Sequence, residues 1–432
     1  MTSAIQLSLF SLEDGGKTAA SSRLVTEELR SFSQFGKKTV VRTTRVISKR
    51  GEETEVPTFV NEYWTSKQRA AHPLHEVSYR ACFKPQLPKF FIDRLTRPGD
   101  IVYDPFMGRG TTPLEAALNG RVPYANDINP LSRVLVQPRL APPTVEEVAS
   151  RLQSIRFDGA SEHPEDLLVF YHPETLGEIC ALRTYLLDRE RDGALDAVDA
   201  WIRMVAVNRL TGHSPGFFSV YTLPPNQAVS VAAQRKINLQ RNQQPPRRDV
   251  PKLVLRKSKQ LLSGRDEATL KALRRASETA RLLTKPADQT PEIPDESVAL
   301  VVTSPPFLDV VDYAQDNWLR CWFCGIDPES VAITTARKIE DWRAAMQSVF
   351  YELARVLKPG GHVAFEVGEV RSGKVKLEEV VVPLGIDAGL RPELILINDQ
   401  QFTKTAHCWG VDNNRKGTNT NRIVLLRRPR RP

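Results

Sequence analysis

Residues 101–118 read IVYDPFMGRGTTPLEAAL, and their order of residue types decides the architecture. IVYDP is a buried strand, DPFMGRGTT (104–112) is a turn with two glycines, and TTPLEAALNG has helical spacing with a glycine stop. A strand that gives way to a helix through glycines is the opening of a βα unit. The same rhythm continues outward. KFFIDRL (89–95) is helical and precedes the turn RPGD, and VPYAND (122–127) is a second strand. Alternation resumes at 298 with strand VALVVTS, helix DWRAAMQSVFYELARVL, turn KPGG and strand HVAFEVG. Strands ELILIND and NRIVLL close the chain as an antiparallel pair. The expected fold class is α/β, a doubly wound Rossmann-like sheet with an antiparallel last strand and an inserted, mainly helical subdomain.

Four segments are expected: a loosely ordered leader at 1–60 with a basic ribbon around TVVRTTRVIS, a first α/β half at 61–140, a helical basic insert at 141–285, and a second α/β half at 286–432. At 41% hydrophobic and 26% charged over 432 residues, the composition is that of a soluble globular protein. No apolar run approaches a membrane span, and the N-terminus lacks a secretory pattern. Five cysteines form no disulfide framework, so a reducing cytoplasm is the expected location. The net charge of +9 gathers at 33–53, in QRKINLQRNQQPPRRDVPKLVLRKSK (234–259) and in the tail LLRRPRRP, which favours a polyanionic partner.

The glycine turn suits close approach of a ligand to Gly108 and Gly110 and to the N–H groups of the helix behind them. It lacks the full dinucleotide fingerprint and the P-loop lysine. Asp127 ends the next strand, where a carboxylate accepts hydrogen bonds from ribose hydroxyls or caps the following helix. A second constellation is TSPPF (303–307). The prolines stiffen a strand end so that the Ser304 hydroxyl and nearby carbonyls converge on one point, with Phe307 offering a ring face. That set fits a planar heterocycle bearing an exocyclic amine, stacked and gripped at once; the alternative is a proline-turned corner with Phe307 in the core.

DPFMGRGTT together with TSPPF resembles the motif pair of amino-group DNA methyltransferases, which use S-adenosyl-L-methionine; the serine form is typical of the N4-cytosine branch. In that resemblance Lys84 and Pro85, in FKPQLPKFFIDRL, lie at the methionine end of the cofactor. Asp104, Phe106, Gly108, Gly110, Thr111, Thr112 and Asp127 complete its site, and Asp288, ending a third strand in KPADQT, meets its adenine. QQFTKTAHCWGVDNNRKGTNTNRIVLL is similar to a subgroup of the family. The resemblance implies that Ser304, Pro305, Pro306 and Phe307 hold a flipped cytosine of duplex DNA. Here the glycine motif precedes the proline motif, the reverse of the order common in serine-type enzymes. An adenine or RNA target, or a DNA-binding protein without catalysis, stays open beside the cytosine reading.

Asn226, Gln227, Arg235, Lys236, Arg247 and Arg248 are the expected DNA contacts of the insert. The resemblance also implies a bacterial, nucleoid-associated protein, with or without a partner restriction enzyme. QLSLF resembles the peptide by which bacterial proteins dock on the replication sliding clamp, with Gln6, Leu7, Leu9 and Phe10 as anchors; a strand packed on the chain's own domain is the alternative. Asp312 and Tyr313 line the base pocket or cap a helix. Cys321 and Cys324 form a single CWFC without the second pair that zinc needs, and His72, His75 and His213 lack metal-ligand spacing, so no metal site is expected.

Overall fold

Nine strands of the computed structural model form one sheet, and the model describes residues 18–47, 51–65, 71–79, 82–158, 163–223, 228–264, 266–306, 313–331, 338–370, 375–399 and 420–430. In chain order these strands are β1 (Val40–Ile47), β2 (Glu53–Asn61), β3 (Ile101–Asp104), β4 (Val122–Asn126), β5 (Arg281–Leu283), β6 (Val298–Thr303) and β7 (Leu357–Val367), then β10 (Arg391–Asp399) and β11 (Thr420–Arg427). A two-stranded hairpin, β8 (Glu369–Val370) with β9 (Val375–Lys376), stands apart from them. The order across the sheet is β1-β2-β10-β11-β7-β6-β3-β4-β5. Strands β5, β4, β3, β6 and β7 run parallel, and β11 is antiparallel to both β7 and β10. Sequence order reverses between β3 and β6, and that is where an open α/β sheet leaves a crevice at its carboxyl edge.

Side chains of the central strands are apolar on both faces, and their period of two divides them between two cores. Val102, Leu300 and Val302 face α2 (Gln86–Leu95), whose Leu87, Phe90 and Phe91 are buried at spacings of three and four residues. Tyr103, Val301 and Phe365 face α12 (Ile339–Val356) and α13 (Leu377–Asp387) on the other side.

The leader departs from expectation. Residues 18–31 form α1 (Thr18–Ser31), and the basic ribbon is the β1–β2 hairpin, joined to the main sheet by parallel pairing of β2 with β10. The reason is in β2, where Val56 and Phe59 are 1% and 0% exposed and enter the cores on the two opposite faces of the sheet, while basic β1 stays at the solvent edge. Gln6, Leu7, Leu9 and Phe10 lie outside the described residues.

Helix α3 (Thr111–Leu118) follows the glycine turn and α4 (Pro130–Leu140) follows β4. Between α4 and β5 come α5 (Val145–Ser154), α6 (Pro173–Arg191), α7 (Ala197–Val207), α8 (Val231–Arg241), α9 (Val250–Leu261) and α10 (Glu267–Thr279). Thr144 and Asp196 open α5 and α7 with capping boxes, and Asp249 caps the Pro-containing start of α9. Trp201 is fully buried and donates from Nε1 to Ser258 Oγ at 3.0 Å, tying α7 to α9. One continuous core joins these helices to α3, α4 and α11 (Tyr313–Cys324), so the insert is seated on the sheet domain. No helix among the described residues is long and apolar enough to cross a membrane.

Candidate functional site

A cavity opens at the carboxyl ends of β3, β4 and β6, at the reversal of strand order. Its floor is the turn after β3. Gly108 and Gly110 both have positive φ, 46° and 77°, the region glycine enters at little cost. Gly110 caps α3 and packs so close to α4 that a Cβ there would lie 2.3 Å from Val136 Cγ2. The turn is held from three sides. Met107 donates its N–H to the Asn126 carbonyl at 2.9 Å, and Gly108 donates to Asp127 Oδ2 at 2.8 Å. Arg109 donates to the carbonyls of Val77 and Phe83 at 3.0 and 3.2 Å.

Asp127 accepts a second backbone bond, from Asn129, at Oδ1 (2.9 Å). The cap of α4 is Asn129, whose side chain accepts from Leu131, so Asp127 anchors the turn and does not cap the helix. Fully buried Asn126 gave no signal in the sequence, yet it clamps two ligand-facing segments. Its amide donates to the carbonyls of Pro105 and Lys285 at 3.3 and 2.9 Å and accepts from Lys285 N at 3.0 Å.

Of the residues singled out in the sequence, Asp104, Phe106, Gly108, Thr111, Asp127, Asp288, Ser304 and Pro306 border this one cavity. Others stand elsewhere. Thr112 is buried and donates to the Val302 carbonyl at 3.0 Å, holding α3 against β6. Lys84 and Pro85 form the start of α2, where the Lys84 carbonyl accepts from Leu87; the neighbouring Cys82 and Phe83 border the cavity in their place. Burial holds the Lys84 ammonium below its ordinary pKa. Strand β5 ends at Leu283, so Asp288 sits in the turn closed by Gln289 N and Pro286 O, beyond the strand. Phe307 and Asp312 lie outside the described residues, as do Asn226 and Gln227.

The proline corner is fixed by side chains that the motif did not reveal. Trp342 of α12 donates from Nε1 to the Pro306 carbonyl at 2.9 Å, and it also lines the cavity. Pro305 is buried. Beside Ser304 stands Glu366 of β7, a carboxyl group only 6% exposed that accepts from Asn421 Nδ2 at 3.0 Å. Burial raises the Glu366 pKa, with the neighbouring Ser304 and Asn421 opposing it.

Asp104 lies beneath, 1% exposed, and its Oδ1 accepts from the Thr303 hydroxyl at 2.6 Å and from Phe106 N at 3.1 Å. Burial pushes its carboxyl up to about 7. The folded protein therefore holds a proton that the unfolded chain has already lost, and stability falls as pH rises from about 4 to about 7. An asparagine would keep the accepting oxygen and lose the charge. Asp104→Asn should gain on the native protein between pH 4.5 and pH 8 by about 3 kcal/mol, measured by urea unfolding at both values. A stability difference that does not change with pH would rule this out.

The expected DNA contacts of the insert divide. Lys236 is exposed on α8, and Arg235 pairs with Asp166 at 3.1 Å. Arg247 is taken up by Glu174 at 2.8 Å and by Glu178, and the Arg248 backbone is bound by Thr175. Cys321 and Cys324 are buried on α11, with thiols pushed up to about 11 and about 12. His75 is buried against Glu115 at 2.9 Å, and burial lowers its pKa to about 4.

Residues 26–131 match a family model for N6 and N4 methyltransferases described as DNA methylase. The type II methyltransferase M.MvaI of Kocuria varians is 28% identical over 111 residues, which are 25% of this chain and 23% of that protein. M.MjaII of Methanocaldococcus jannaschii is 34% identical over 76 residues, 18% of this chain and 14% of that one. The chain thus aligns with less than a quarter of the length of either relative. Among solved structures, a DNA modification methylase candidate of Thermus thermophilus, complexed with S-adenosyl-L-methionine, is 24% identical, covering 34% of this chain and 56% of that one at a TM-score of 0.22. A geranyl diphosphate methyltransferase with sinefungin covers 79% and 77% at 9% identity and a TM-score of 0.31.

Proposed function

We propose that this protein is a DNA methyltransferase that uses S-adenosyl-L-methionine and methylates an exocyclic amine, the N4 of cytosine, in duplex DNA. The observation that carries the reading is the sharing of one cavity by the Gly108 turn, Asp127 and Asp288 with Ser304 and Pro306. The family-model match over 26–131 and the two type II methyltransferase relatives support the same chemistry.

The donor set fits the cofactor. Asp127 receives ribose hydroxyls on lone pairs left by its two backbone bonds, and Asp288 receives the adenine amine. Phe106 and Met346 supply apolar walls. When bound, the cofactor supplies a methyl group on a positively charged sulfur, already a strong electrophile.

The chain's own work is to present the amine. Its nitrogen lone pair is delocalised into the base ring and is a poor nucleophile. Ser304 borders the cavity beside Glu366, and its oxygen lone pairs serve as acceptors for an amine N–H. A second acceptor, the Pro305 carbonyl, then draws the nitrogen towards tetrahedral geometry and localises the lone pair. Trp342 holds the corner still through the Pro306 carbonyl, so positioning supplies much of the rate. Because the amine is used in base pairing, the base must leave the duplex, at a cost of a few kcal/mol that stacking on Phe307 partly offsets.

The test is transfer of labelled methyl groups to unmethylated duplex DNA, followed by mass spectrometry of the nucleosides. N4-methylcytosine is the expected product. N6-methyladenine alone would move the target to adenine and end the cytosine assignment. Tight DNA binding with no transfer would leave a DNA-binding protein without catalysis.

A further inference from the structure

A second cleft runs off the cavity, sharing Tyr79 and Arg109 with it. Its other walls are Glu76–Ser78, Arg209 and Lys257, and Arg256 lies beside Arg209. Among the described residues here, four cations thus meet a single carboxylate. Glu76 is already bound by Lys257 Nζ at 3.0 Å and by Gln260 Nε2 at 2.6 Å. Arg109 spends its donors on the Thr111 hydroxyl and two carbonyls. Arg209 stacks on Phe217 with its guanidinium carbon 4.1 Å from the ring centroid, and donates from Nε to the Asn208 carbonyl at 2.8 Å. Among the described residues, Arg256 donates to the Pro215 carbonyl alone, at 3.5 Å. Among the described residues, no carboxylate stands within ion-pair distance of Arg209 or Arg256.

A half-buried guanidinium whose nearest carboxylate, Glu76, is already paired with Lys257 is under-compensated, and a second arginine beside it makes it more so. Burial lowers the Arg209 pKa to about 10, with Glu76 opposing it and Arg256 adding to it. Such a site gains when an anion enters. The aromatic stack meanwhile fixes the plane of Arg209, so its remaining N–H groups are pre-organised as a fork suited to phosphate oxygens.

We infer that this cleft seats the phosphodiester backbone of the DNA strand whose base occupies the adjoining cavity, with Arg209 and Arg256 as its phosphate ligands and Lys257 as the charge behind them. The inference rests on the methyltransferase reading, and it moves the backbone contact from Arg247, whose charge is neutralised by two glutamates, to the cleft.

The experiment measures binding of a fluorescent DNA duplex to the full chain across a salt series, for the native protein and for Arg209→Gln, Arg256→Gln, Arg209→Lys and Arg247→Gln. Each lost phosphate contact should reduce the slope of log K against log salt by about 1. Arg209→Gln and Arg256→Gln are expected to show that reduction and about tenfold weaker binding at low salt. Arg209→Lys should keep the native slope, and Arg247→Gln should be near native. Affinity for S-adenosyl-L-methionine, measured by calorimetry, should be unchanged in all four, which also reports that they fold. A native slope in both Arg209→Gln and Arg256→Gln would overturn the cleft while leaving the methyltransferase reading intact. A slope reduced only in Arg247→Gln would likewise overturn it. Absence of DNA binding by the native protein would sink the functional reading itself.

Discussion

Ser304→Ala should bind S-adenosyl-L-methionine as the native protein does and transfer methyl groups about a hundredfold to a thousandfold more slowly, the usual loss when one group that acts on developing charge is removed. The expectation follows from the place of Ser304 on the cavity wall. Its oxygen is the side-chain acceptor that the proline corner offers to an amine N–H, and alanine deletes that acceptor. The cofactor contacts proposed at Asp127 and Asp288 come from the segments that follow β4 and β5, so methyl-donor affinity is a separate readout. Glu366→Gln supplies a control. Glutamine keeps a polar group beside Ser304 and leaves the serine oxygen in place, so its loss should be smaller than that of Ser304→Ala. Single-turnover transfer together with methyl-donor titration decides the matter. If Ser304→Ala retained native turnover, the amine would be held by other groups.

Gly110→Ala should destabilise the protein by about 2–5 kcal/mol, the sum of left-handed backbone strain and overpacking. That is a large part of the 5–15 kcal/mol that typically separates folded from unfolded chains. At φ 77° any side chain meets the preceding peptide, and here the added carbon would also overlap Val136 on α4, 2.3 Å away. Relief would require α4 to move, and the cap of that helix, Asn129, is itself hydrogen-bonded to Asp127. The turn would therefore shift where it forms the cavity floor. Val136→Ala in the same chain should restore the steric part and leave the backbone part, so a double-mutant cycle by urea unfolding separates the two. Equal stability of Gly110→Ala and native protein would show that α4 yields freely.

Several features were legible before any coordinates because local rules produce them. Strand, two glycines and helix in IVYDPFMGRGTTPLEAAL specify a βα turn, and the crevice beside it follows from strand order. TSPPF announces a rigid strand end. Asp127 and Asp288 stand out as acids at carboxyl edges, and both border the cavity. Other features had no local signal. The leader read as loose because its polar residues outnumber its apolar ones, yet β2 buries Val56 and Phe59 in the cores on opposite faces of the sheet and joins β10 more than 330 residues further on. Asn126 and Glu366 sit in runs of ordinary strand residues, and their roles depend on what lies across the sheet.

Short-range steric and hydrogen-bonding rules act between residues near in sequence, so the chain alone determined the α/β class, the glycine turn, the proline corner and the excess of positive charge. Only the tertiary structure decided which charges are spent and which remain. Arg247 looked available and is neutralised by Glu174 and Glu178, whereas Arg209, in a loop without a basic run, stands in a cleft with little counter-charge. Ion pairing and burial depend on distances in space, which a sequence does not order, and those two quantities separate a structural arginine from one left for a ligand.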